Sequence, residues 1–181
     1  MALRNTTEKW GAVAKLFHWL IAILVFCMIG LGLAAVNAPL SPLKLQLFTV
    51  HKLTGLTVFT LMIARLIWRI LSPEPILPPS LPGWEKVIAR LTHYMLYGLV
   101  LLMPISGYVI TSAANFPITA FGLFEVPLLV PPDKEIQENA ETIHYLGFIA
   151  LSGLVLLHVA AALRHHFILK DEILRRMLPG G

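Results

Sequence analysis

The sequence predicts an all-α integral membrane protein folded as a four-helix bundle. Of the 181 residues, 57% are hydrophobic and only 13% are charged, and the mean hydropathy is +0.76. Soluble domains carry about 25% charged residues, so this composition excludes an ordinary soluble domain. Four apolar stretches each approach the ~20 residues that a helix needs to cross a bilayer. The length allows one domain, residues 1–181.

The four predicted spans lie at about 16–36, 49–71, 91–114 and 142–167. A short link joins the first two spans, and a proline-rich link over residues 72–90 stops the second helix. The first span follows basic residues, as a signal peptide does, but its apolar run exceeds the usual length of about 7–15 residues. We therefore predict that all four spans are retained.

Lysine and arginine residues concentrate on one side of the predicted spans. Of the 14 such residues, only Lys44, Lys52 and Lys134 fall on the opposite side. The positive-inside rule therefore predicts that both termini are cytoplasmic. The same placement explains the pI near 9.4 by topology and by contact with anionic lipids, so nucleic-acid binding is not expected.

Four histidines, His18, His51, His144 and His158, lie inside these apolar spans. Ionisable side chains are costly at membrane depth and usually face a bundle interior, a cofactor or a conduction path. His144 and His158 are 14 positions apart, which is close to four helical turns, so both rings share one face about 21 Å apart. With cytoplasmic termini, His18 and His158 form an inner level, and His51 and His144 form an outer level.

Two histidines at each level fit a haem better than a bare metal ion. They fill both axial positions of a haem iron, whereas a structural zinc takes four protein ligands. The chain lacks a Cys-x-x-Cys-His motif, which indicates non-covalent haem b. We therefore predict two haem b groups that serve electron transfer. The rival interpretation is a haem-free transporter whose histidines relay protons or bind metal ions.

Four further residues are candidates for the inner site. Arg65 lies 14 positions after His51 on the same helix face, where it either pairs with a haem propionate or anchors the topology. Arg69 has the same two interpretations. His93 could replace His158 as a ligand or line a polar substrate site. His165 is a second candidate for such a polar site.

Eight short segments carry a family resemblance. They are Lys15–Leu20, His51–Gly55, Arg65–Arg69, Leu91–Tyr94, Phe121–Leu123, Thr142–Gly147, His158–Phe167 and Lys170–Pro179. In order and spacing they resemble the bacterial cytochrome b-561 family over nearly the whole chain. The resemblance implies a di-haem, quinone-linked electron carrier of the bacterial inner membrane, whose ligand positions match the four histidines.

Within that family the chain resembles the superoxide oxidases. This resemblance implies that an electron passes from external superoxide through both haems to ubiquinone. Lys52, beside His51, is then the candidate catalytic residue, because a positive charge steers an anion towards the outer haem. Lys52 could equally anchor its helix at the headgroup level. The quinone would bind in the inner leaflet, beside His93 or His165.

The alternative function is an electron-transfer subunit docked to a dehydrogenase or hydrogenase. The loop Asn115–Glu141 carries five acidic residues against one lysine, a net charge of −4, and could form the docking surface. The expected partners are thus a quinone, superoxide and the lipid bilayer, with a redox partner protein in the alternative.

Overall fold

Four long helices form most of the protein, which confirms the predicted fold class. The computed structural model describes residues 2–76 and 81–180. Within these ranges the long helices are α1 (Ala12–Asn37), α2 (Pro42–Ile70), α3 (Gly83–Ala113) and α4 (Lys134–Arg164). All four are long and apolar enough to cross a membrane, and a π-helical turn, His165–Leu169, extends α4.

The helices begin before the apolar spans that the sequence predicts. Ser41 caps α2 by accepting a hydrogen bond from the backbone N–H of Lys44, and Pro42 occupies the first helical position. Asp133 caps α4 in the same way through the N–H of Ile136. Hydropathy marks the apolar part of a helix, whereas a cap sets its first residue. The first turns of α2 and α4 therefore lie before the predicted spans.

A small hairpin interrupts the loop that the sequence predicts between the third and fourth spans. Strands β1 (Ile118–Ala120) and β2 (Phe124–Val126) pair antiparallel, and β1 contacts α2. Phe121 and Gly122 turn the chain with φ of 50° and 73°. Among the described residues this hairpin is the only β-structure. The end of the bundle that carries it is called the hairpin end below.

The opposite end, called the terminal end, carries the segment before α1, the C-terminal tail and the described parts of the link between α2 and α3. The C-terminal tail crosses this end and binds α1. Nζ of Lys15 donates to the carbonyl of Leu178, and Nε1 of Trp19 donates to that of Met177, both at 2.8 Å. Residues 77–80 of the proline-rich link lie outside the described residues.

The buried core lies midway between the two ends. Helix α1 packs on α2, α3 packs on α4, and α2 also meets α3. The buried apolar cluster consists of Ile21, Val25, Val58, Met62, Val100 and Leu151. Many other large apolar side chains face outward, as expected of helices that are solvated by lipid.

Candidate functional site

Two histidines from different helices face each other near the hairpin end. His51 on α2 and His144 on α4 have ring centroids 6.3 Å apart, with an interplanar angle of 69°. Both were predicted to share one level. An imidazole binds a metal at about 2 Å, and the ring centroid lies about 1 Å behind the nitrogen, so two rings ligating one ion from opposite sides stand about 6 Å apart. The observed separation therefore fits such a pair.

Glycines on the two remaining helices make room for these rings. A Cβ at Gly32 on α1 would lie 3.2 Å from Cε1 of His51, and one at Gly107 on α3 would lie 3.3 Å from Cε1 of His144. Each glycine also lies beside the Nδ1 edge of its ring, since that atom would be 3.6 Å from the added Cβ. The Nε2 edges are thus directed away from these helices, which suits metal ligation through Nε2.

The hydrogen-bonding environments of the two rings differ. Nδ1 of His144 lies 2.9 Å from Oγ of Ser106, a buried serine on α3. Nδ1 of His51 is buried and has no hydrogen-bond partner among the described residues. The two members of this pair are therefore chemically unequal.

Lys52 follows His51 on α2 and carries a positive charge near the hairpin end. Its Nζ lies 5.8 Å from the ring centroid of Phe116, which follows α3 and leads into the hairpin. Such cation–π contacts hold an ammonium group without neutralising it. Within the described residues Lys52 forms no salt bridge.

A second pair of histidines faces each other near the terminal end. His18 on α1 and His158 on α4 have ring centroids 6.4 Å apart, with an interplanar angle of 66°. This separation also matches two rings on opposite sides of one metal ion. His93 on α3 lies closer to His158, at 5.5 Å. His93 is therefore a neighbour of this pair. Its ring is closer to that of His158 than the roughly 6 Å expected for two rings on opposite sides of one metal ion.

Arg65 and Arg69 lie beside the terminal-end pair and share one tyrosine. Both guanidinium groups lie 5.4 Å from the ring centroid of Tyr97 on α3. Nη2 of Arg65 is 3.4 Å from Nδ1 of His18, and Nη1 of Arg69 donates to the hydroxyl of Tyr97 at 3.2 Å. Arg69 also forms a salt bridge with Glu74 at 2.6 Å. Arg65 is thus the arginine in direct contact with a predicted ligand.

His165 points away from the histidine pair and towards carboxylates. Its Nδ1 lies 2.5 Å from Oδ2 of Asp171, and its Nε2 lies 3.7 Å from Oε2 of Glu85. Arg164 approaches the other oxygen of Glu85 at 3.4 Å. These contacts join the end of α4 to the start of α3 and to the C-terminal tail. They form a polar cluster at the terminal end, which is where the sequence predicts a polar site.

The donor sets fit a haem at each level. Each level supplies one facing pair of imidazoles, and among the described residues no group of three or more His, Cys, Asp or Glu side chains could hold a bare metal ion. A porphyrin supplies four ligands to its iron, so a facing pair of imidazoles would supply the other two. The glycines beside His51 and His144, and the contact between Nδ1 of His144 and Ser106, are consistent with rings placed for ligation through Nε2.

Several residues of these sites were not predicted from the sequence. They are Gly32, Glu85, Tyr97, Ser106, Gly107 and Asp171. A serine two positions after Pro104, inside the predicted third span, was the available signal for Ser106, because buried hydroxyl groups in membrane helices need partners. Tyr97 lies four positions after His93, and that spacing places both on one helix face.

Comparison with known proteins gives one family and several relatives. The family described as prokaryotic cytochrome b561 matches residues 9–180. Cytochrome b561 homolog 2 of Escherichia coli (strain K12) is 36% identical over 188 aligned positions, covering 98% of this chain and 95% of that protein. Cytochrome b561 homolog 1 of the same organism is 34% identical over 129 positions, covering 71% and 73%. A probable superoxide oxidase CybB of Yersinia pestis is 27% identical over 172 positions, covering 95% and 97%.

Proposed function

This chain belongs to the prokaryotic cytochrome b561 family, and on that premise we propose that it is a di-haem oxidoreductase that transfers electrons from superoxide to ubiquinone. Family membership makes it a multi-pass membrane protein of electron transport that binds haem b. The proposal adds two haems per chain, the two substrates, and placement in the bacterial inner membrane with both termini in the cytoplasm.

The observation that carries the proposal is the presence of two facing histidine pairs. His51 with His144, and His18 with His158, stand 6.3 and 6.4 Å apart. The four histidines are the proposed iron ligands. Haem iron, when bound, supplies the one-electron oxidation and reduction that the reaction needs. The chain would hold one haem near each end, and it packs apolar side chains between the two histidine pairs.

At the hairpin end, the role of Lys52 is to attract the anionic substrate. Its ammonium group adjoins His51 in sequence and lies over Phe116. A local positive charge raises the encounter rate of a small anion, and salt weakens that effect. The 27% identity to a probable superoxide oxidase supports superoxide as that anion.

At the terminal end, the side chains suit an acceptor that takes up protons with its electrons. The polar cluster of Glu85, His165 and Asp171 can hold and transfer a proton at the imidazole nitrogens of His165. His93 on α3 lies beside His158, with the ring centroids 5.5 Å apart. Arg65, which contacts His18, would pair with a haem propionate, and Arg69 contacts the same Tyr97.

One specific observation favours a second function, that of an electron-transfer subunit for a partner dehydrogenase or hydrogenase. The start of α4 at the hairpin end exposes Glu135, Glu138 and Glu141, which could bind a basic partner surface. A haem-free transporter is not proposed, because the family binds haem b.

A reduced-minus-oxidised absorption spectrum tests the haem assignment, with haem counted per purified chain. We expect two haems in the wild type, one in His51→Ala and in His158→Ala, and none in the double variant. His166→Ala is the matched control, because this terminal-end histidine belongs to neither facing pair and should keep both haems. A wild type with one haem or none, or a double variant with full pigment, would contradict the proposal.

Superoxide-driven reduction of a ubiquinone analogue by the isolated chain tests the substrates. We expect Lys52→Gln to lower the rate by roughly tenfold at low salt and to make it less sensitive to ionic strength. Lys44→Gln is the control, because it removes the same charge from a position about 10 Å along α2 from His51, where Nζ is bound to the carbonyls of Val36 and Ala38. A wild type that reduces the quinone only in the presence of a partner protein would favour the subunit function instead.

A further inference from the structure

Ser106 gives the two hairpin-end histidines different environments. Oγ of Ser106 lies 2.9 Å from Nδ1 of His144, whereas Nδ1 of His51 is buried without a partner among the described residues. Ser106 is itself only 5% exposed. Water therefore does not compete for its hydroxyl group.

The other contacts of Ser106 decide the direction of this hydrogen bond. A hydroxyl group has one proton to donate and can accept two hydrogen bonds. Oγ of Ser106 lies 2.9 Å from the carbonyl of Leu102 and 3.0 Å from that of Met103, and a carbonyl can only accept. With its proton directed to one of these carbonyls, Oγ accepts a hydrogen bond from Nδ1–H of His144, a ring that also interacts with the backbone of Met103. That tautomer leaves the lone pair on Nε2, the edge directed away from α3.

We infer that Ser106 is a positioning residue which fixes the tautomer of His144 and lowers the midpoint potential of the haem that this histidine ligates. The inference rests on the proposed function, because it requires His144 to be an iron ligand. An imidazole that donates its Nδ1 proton to an acceptor is a more basic ligand. A more basic ligand stabilises the higher charge of ferric iron and so disfavours reduction. His51, with no such acceptor, contributes no matching effect.

Redox titration of the purified protein, followed by visible absorbance, tests this inference with Ser106→Ala. We expect the ferric-to-ferrous ratio of one haem to fall by roughly threefold to tenfold at a fixed potential, and a tenfold change is about 59 mV for a one-electron couple. The second haem should keep its potential. Ser106→Thr restores a hydroxyl group at the same position and should titrate like the wild type.

Ser152→Ala is the matched control for loss of a buried hydroxyl group. Oγ of Ser152 on α4 is buried with no hydrogen-bond partner among the described residues. Its removal should therefore move neither potential. A shift in this control equal to that in Ser106→Ala would overturn the inference, because the shift would then follow from altered packing.

The outcomes separate this inference from the function on which it rests. A wild type that lacks a second haem contradicts the proposed function. Two haems whose potentials are the same in the wild type and in Ser106→Ala contradict only the role of Ser106. If Ser106→Ala does not bind haem at the hairpin end, Ser106→Cys replaces it. The thiol is a weaker acceptor, so a potential above that of Ser106→Thr supports the inference and an equal potential refutes it.

Discussion

One methyl group added at Gly32 tests whether the neighbouring helix holds His51 in position for ligation. A Cβ at this position would lie 3.2 Å from Cε1 of His51 and 3.6 Å from Nδ1. Carbon atoms in favourable contact are about 3.5–4.0 Å apart, so the ring must move by a few tenths of an ångström. Overpacking of this kind costs about 1–3 kcal/mol. The displaced ring is the one that faces His144 at 6.3 Å.

We expect Gly32→Ala to weaken retention of one of the two proposed haems by roughly tenfold, since a tenfold change corresponds to about 1.4 kcal/mol. The assay is transfer of haem from the purified protein to excess apomyoglobin, measured by absorbance. Gly30→Ala is the matched control on the same helix, because a Cβ there would meet nothing within 4 Å. Both variants gain the same helix propensity of about 1 kcal/mol, so their difference reports the contact with His51.

Equal haem retention in Gly32→Ala and Gly30→Ala would refute this account of the hairpin-end site. Loss of both haems from Gly32→Ala alone would refute it too, because the terminal-end pair does not contact position 32. A second comparison on α3 repeats the test for the other ring. Gly107→Ala places a Cβ 3.3 Å from Cε1 of His144, whereas Gly98→Ala meets nothing within 4 Å. The first of these should lose haem, and the second should not.

Three further variants test other parts of the molecule. Phe121→Gly should raise the thermal unfolding midpoint and leave the haem spectrum unchanged, because a non-glycine residue at φ 50° costs about 1 kcal/mol or more; a lower midpoint would contradict this. Tyr97→Phe should lower the free energy of unfolding in a denaturant titration by about 1 kcal/mol, because Arg69 loses one hydrogen-bond acceptor. The full haem content should remain, and its loss would give Tyr97 a larger role. His165→Gln should slow ubiquinone reduction while the rate of haem reduction by superoxide stays the same, since the proposed function assigns to the His165–Asp171 cluster only the proton uptake by the quinone. Equal slowing of both steps would contradict that role.

The helices and the depths of the histidines could be predicted because both depend on position along one axis. Composition identifies an apolar helix, and a rise of about 1.5 Å per residue converts sequence position into depth. His144 and His158 are therefore assigned to two levels from their spacing alone. The shared levels of His18 with His158, and of His51 with His144, then follow from the antiparallel order of the helices.

Contacts between helices could not be predicted in the same way, because they depend on how each helix is rotated about its axis. The proximity of Ser106 to His144, and that of Tyr97 to two arginines, require the rotation of α3 relative to its neighbours. The clustering of His165 with Glu85 requires the tail and the start of α3 to meet. The hairpin was missed because its three-residue strands are too short to give a pattern of alternation.

The distribution of polar side chains explains why the proposed reaction uses opposite ends of the bundle. The core cluster between the two histidine levels is apolar, and the buried hydroxyl group of Ser152 on α4 has no hydrogen-bond partner among the described residues. A proton needs a chain of polar or ionisable groups to cross a membrane, and this cluster supplies none. Electrons can cross between two cofactors without such a chain. A substrate that gives up only an electron therefore suits the end with Lys52, and an acceptor that also needs protons suits the end where His165 adjoins two carboxylates.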